Sequence, residues 1–182
     1  MNIQYWLEVY KNSPEDSELK KLVLEHIITL NPTFKDLHKV YKDSTEEERE
    51  LVLKYVALLL PTFREWLIIC YASQRDSKHL PFILENVVKM AHSFEEWNQV
   101  YCIPDNKELS QLALEKMASL AQSFEEWSSI RNKASSGSEL KKLSLENMAK
   151  LAQSIQEWQE VAFHSAARSE LNNLARKKLG RT

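Results

Sequence analysis

Three segments of the chain nearly copy one another: Ser93-Phe94-Glu95-Glu96-Trp97, Ser123-Phe124-Glu125-Glu126-Trp127 and Ser154-Ile155-Gln156-Glu157-Trp158. Thr62-Phe63-Arg64-Glu65-Trp66 and Thr33-Phe34-Lys35-Asp36-Leu37 are earlier relatives, and the chain opens Asn2-Ile3-Gln4-Tyr5-Trp6. The anchors Ile3, Phe34, Phe63, Phe94, Phe124 and Ile155 are separated by 31, 29, 31, 30 and 31 residues. All five tryptophans stand three residues after an anchor, and Leu37 takes that place in the second unit. A period of this length dictates a stack of similar modules, because one short module cannot bury its apolar side alone.

Each module reads as two helices. The first, helix A, starts at the anchor behind a Ser or Thr N-cap, and an acidic side chain three residues later can reach back to the cap amide. Ser93/Glu96, Ser123/Glu126, Ser154/Glu157 and Thr62/Glu65 show this capping box. Helix A stays apolar at the anchor, three residues on and six residues on, where Val9, Val40, Ile69, Val100, Ile130 and Val161 stand. The second, helix B, carries Leu24, Leu53, Leu84, Leu114 or Leu145 ten residues before the next anchor. Ile27, Val56, Val87, Met117 or Met148 follows three residues later. That is the spacing of an amphipathic helix. Ser17, Ser44, Asn106 and Ser138 are its expected N-caps.

The breakers agree with this division. Pro14 and Pro104 fall between helices A and B, Pro32 and Pro61 precede the cap threonines, and Pro81 requires a late helix B starting near Leu80. Only two glycines occur in 182 residues, which excludes the glycine-rich phosphate cradles of nucleotide-binding folds. The expected fold is all-α: a right-handed α-solenoid of about six two-helix repeats. It forms a single helical-repeat domain over residues 1–182, with units starting near 3, 34, 63, 94, 124 and 155. The last unit is a C-terminal cap, where Arg176 replaces an expected leucine.

This arrangement resembles the HEAT, armadillo and tetratricopeptide solenoids over the whole chain. Trp97-Asn98-Gln99-Val100-Tyr101 is similar to the tetratricopeptide Trp-xx-Leu-Gly-xx-Tyr pattern, without its glycine and its tyrosine spacing. The resemblance implies a non-enzymatic protein–protein interaction scaffold, because such solenoids are mostly binding surfaces. A nucleic-acid-binding or base-modifying HEAT-like protein is the alternative it implies.

The residues that could hold chemistry favour the scaffold. The histidines His26, His38, His79, His92 and His164 form no i, i+3 or i+4 pair, so no metal or other cofactor is expected. The pairs Glu95-Glu96 and Glu125-Glu126 point to different sides of a helix and suit its first turn. No nucleophile–base pair stands out, so no enzyme is expected. The tryptophans share a face with the anchors and are expected in the core. The basic residues Arg168, Arg176, Lys177, Lys178 and Arg181 suit a last helical turn. A net charge of −2 and a pI near 6.2 disfavour nucleic acid as the partner. Departures from the repeat mark one apolar patch. Leu58 stands where other units carry Thr29, Lys89, Ser119 and Lys150, and Ile68 where they carry Glu8, Lys39, Gln99, Ser129 and Glu160. With Leu67 and a rim residue Tyr55, these two flank one short turn and are expected to bind another protein or a second copy. The apolar runs Leu51–Leu60 and Trp66–Ala72 fall short of the roughly 20 residues of a membrane span. With no basic, apolar leader at the N-terminus and only Cys70 and Cys102, a cytoplasmic protein with buried, reduced thiols is expected.

Overall fold

A computed structural model describes residues 2–15, 17–73, 77–167 and 169–180. Among them are twelve helices and no strand. They form six consecutive pairs: Ile3–Asn12 (α1) with Glu18–Thr29 (α2), Phe34–Lys42 (α3) with Glu46–Leu58 (α4), and Phe63–Ala72 (α5) with Leu80–Met90 (α6). Phe94–Tyr101 (α7) pairs with Lys107–Leu120 (α8), Phe124–Lys133 (α9) with Glu139–Leu151 (α10), and Ile155–His164 (α11) with Glu170–Lys178 (α12). The chain divides into two compact units, Met1–Ala91 and His92–Thr182, each holding three pairs.

Helix starts follow the caps. The four boxes read from the sequence are formed, and Thr33/Asp36 and Thr45/Glu48 add two more. Ser17, Asn106 and Ser138 cap α2, α8 and α10. Ser44 does not cap α4. Thr45 takes the position because Glu48, three residues later, accepts its backbone N–H. Helix α6 starts at Leu80 with proline in its first turn, as the late start requires.

In residues 1–91 the A helices stack in order, α1 on α3 and α3 on α5, each backed by its own B helix. Leu37, Val40, Trp66 and Ile69 are buried along this row, and Ile27, Val56 and Val87 face them from the B helices. Each large side chain so buried contributes about 1.5–3 kcal/mol. Within residues 92–182, α8 meets α9 and α10 meets both α11 and α12. Trp66, Trp97 and Trp127 lie in the core as expected. Trp6 and Trp158 are only half-buried, Trp6 edge-on to His26 and Trp158 beneath the Lys178 ammonium.

A polar device recurs at the C-terminal ends of the A helices. Ser13, Ser44, Ser73 and Ser165, ten residues after their anchors, donate back to the carbonyls of Val9, Val40, Ile69 and Val161 at 2.6–2.8 Å. The tyrosine seven residues after the preceding anchor then reaches the next repeat. The Tyr41 hydroxyl lies 2.7 Å from that of Ser73, and the Tyr10 hydroxyl 2.7 Å from that of Ser44. Tyr10 also donates to the buried Glu48 carboxylate at 2.9 Å. Burial pushes its phenol well above the ordinary range, and Glu48 beside it adds to the shift. Cations cover these rings: Lys20 over Tyr10 and Arg49 over Tyr41.

Replacing Tyr10 with Phe therefore leaves Glu48 short of a donor in a buried place. Urea denaturation should show a loss of about 1–3 kcal/mol. The caps give a second expectation. The backbone amides of His92 and Ser93 hold the Glu96 carboxyl below its usual 4.5, so its contribution is present above that value and fades as pH falls further. The acid limb of stability against pH should be shallower in E96Q than in the parent, measured by urea midpoints below pH 5.

Candidate functional site

The site is built on the turn between α4 and α5. Helix α4 should end in a polar surface turn, yet it ends in Leu58, Leu59 and Leu60, all exposed; Leu58 shows 74% and Leu60 87% of its surface. Leu60 also has a left-handed backbone, φ +50°, which an L-residue with a branched side chain adopts at a cost. The corresponding position one repeat earlier, again two residues before the cap threonine and followed by proline, holds Asn31 at φ +51°. Asparagine tolerates this conformation because its short side chain bonds locally; leucine has no such compensation. Leu60 is thus disfavoured twice, by its backbone and by its exposure to water.

Across the turn, α5 exposes Arg64, Ile68 and Tyr71, spaced i, i+4, i+7 and so on one stripe. Ile68 is 37% and Tyr71 56% exposed. Of the four residues expected in the patch, Leu58 and Ile68 are on the surface and Tyr55 is half-buried one turn before Leu58. Leu67 is not part of it. At 7% exposure it belongs to the core, because the position four after the anchor faces inward here, as it does at Leu7. Sequence reading missed Leu59, Leu60 and Tyr71. Leu60 was detectable as a leucine where the previous repeat has Asn31, and Tyr71 as an aromatic where the first two units have Lys11 and Lys42.

The other candidate groups are occupied structurally. Among the described residues no three His, Cys, Asp or Glu side chains gather as a metal site requires. His79 is buried with Nε2 2.7 Å from the Glu46 carbonyl. His38 stacks on Phe34, and burial lowers its pKa. Glu96, Glu126 and Glu157 close capping boxes. Arg176, Lys177 and Lys178 lie in the last turn of α12, where cations meet the negative helix end; Arg168 and Arg181 lie outside the described residues. No helix among the described residues is long and apolar enough to cross a membrane.

The thiols differ from the expectation that both are buried. Cys70 is, and burial pushes its pKa up to about 11, whereas Cys102 is exposed at the end of α7. Comparisons of the chain with protein-family models, with curated proteins and with solved structures return no match.

The two thiols should separate chemically. Iodoacetamide at pH 7.5 is expected to label Cys102 in the folded protein and to reach Cys70 only after denaturation, read by peptide mass spectrometry.

Proposed function

We propose that the chain is a protein-binding module of helical-repeat type, and that it engages its partner through the α4–α5 edge. The observation behind this reading is Leu60. A bulky apolar side chain held in a left-handed backbone, almost wholly in water, costs stability twice and stabilises nothing within the chain. Leu58 beside it, and Ile68 and Tyr71 on the next helix, extend the apolar surface a partner would cover. Helix α5, which carries Ile68 and Tyr71, packs on α3.

Changing Leu58 and Ile68 together to Lys should leave the far-ultraviolet circular dichroism unchanged and abolish association, read by light scattering and by binding to isolated partners. Unchanged association would remove this edge from consideration. Leu60→Asn separates stability from binding. It should stabilise the fold by about 1 kcal/mol in urea denaturation, by relieving the backbone, while weakening association. A residue retained only for folding would show no such opposition.

A further inference from the structure

The exposed stripe of α5 continues onto its neighbours. Positions one, five and eight after each anchor lie on one face of helix A, and in residues 1–91 all nine such positions are exposed. They read Gln4, Glu8 and Lys11 on α1, then Lys35, Lys39 and Lys42 on α3, then Arg64, Ile68 and Tyr71 on α5. Because α1 packs on α3 and α3 on α5, the three stripes lie side by side.

The charge on this row is one-sided. Five cations face one carboxylate, that of Glu8. Among the described residues, Lys11, Lys35, Lys39, Lys42 and Arg64 form no ion pair. Lys39 donates a 3.3 Å bond to the Gln4 side chain, and its charge helps to lower the pKa of Asp36. The other carboxylates of these three helices are committed: Asp36 and Glu65 close the capping boxes of α3 and α5. The row is not a smooth wall. Between α1 and α3 runs an open groove of about 270 Å³ lined by Gln4, Glu8, Lys11, Lys39 and Asp43. Lys11 also borders a second hollow of about 460 Å³, where Lys20, Lys42 and the Glu46-paired Arg49 stand with Asp43 and Glu15.

We infer that this face of α1, α3 and α5 binds an acidic segment of a partner protein whose carboxylates meet the α3 lysines and whose apolar side chains seat on Ile68 and Tyr71. The inference rests on the protein-binding reading above and adds the chemistry of the partner. Charge complementarity fixes the sign, because five exposed cations on these three stripes, against the one carboxylate of Glu8, repel a basic partner and attract an acidic one. The apolar end of the row selects a protein segment over a nucleic acid. A nucleic-acid groove needs its cations to continue along the backbone track, whereas here α5 gives Ile68 and Tyr71 after a single arginine.

The test is a selection from a random 16-residue peptide display library on the immobilised full chain, with affinities of the enriched peptides measured by fluorescence anisotropy. Enriched peptides should carry net negative charge and at least one bulky apolar residue. Their affinity should fall about tenfold or more in K35E/K39E/K42E and in the milder K35Q/K39Q/K42Q. It should also fall by a similar factor between 0.05 and 0.5 M NaCl, as screened charge contacts require. The glutamine variant keeps the test valid where charge reversal unfolds α3. No enrichment, or enriched peptides of neutral or basic character, overturns the inference. Peptide binding that both lysine variants leave unchanged but Leu58→Lys with Ile68→Lys abolishes also overturns it, and leaves the protein-binding edge standing. Binding unchanged in all variants removes both. A labelled 12-nucleotide single strand serves as the competing probe: lysine-dependent binding of it without any peptide enrichment assigns the row to nucleic acid instead.

Discussion

The first half of the chain depends on the burial of one A helix against the next. Leu37, Val40, Trp66 and Ile69 are covered only when α3 sits between α1 and α5, because a single hairpin has apolar surface on two sides and can close just one. This constraint explains the regularity of the sequence. A module whose stability comes from its neighbours must present the same apolar positions at each repeat, and the spacing of its anchors drifts by no more than two residues.

The same stacking leaves the outward stripes of the A helices free to vary. Positions one, five and eight after the anchor contribute nothing to the buried row, so their side chains can differ from unit to unit without loss of fold. In α3 they are all lysine, and in α5 two of the three are apolar. The turn between α2 and α3 holds the polar Asn31 at its left-handed position. The equivalent turn between α4 and α5 exposes leucines instead, and Leu60 adds the cost of a left-handed backbone.

Polar groups tie the stack together without disturbing this division. The serines at the A-helix ends give a second donor to last-turn carbonyls such as those of Val40 and Ile69, which also accept a backbone N–H, and the tyrosines of the previous repeat reach the same hydroxyls at Ser44 and Ser73. The register of consecutive modules is thus set by directional bonds as well as by apolar contact. Arg49 and Lys20 lie over the tyrosine rings, so their charge is held where aromatic faces and backbone carbonyls can accept it.

Much of this was written in the residues themselves. Helix starts follow from Ser or Thr with an acid three places on, since the capping box is a local structure needing no tertiary partner; the boxes at Thr62, Ser93, Ser123 and Ser154 were all legible. The all-α repeat and its core positions follow from a period that only stacked helices satisfy. Packing alone decided the rest. Leu67 and Ile68 are adjacent apolar residues, and only the docking of α5 on α3 turns one inward and leaves the other in water. The tyrosine–serine bonds and the side-by-side lysines of α1 and α3 each require two segments some thirty residues apart to meet. Residues that far apart come together only when burial brings their helices into contact, so no local pattern could have announced them.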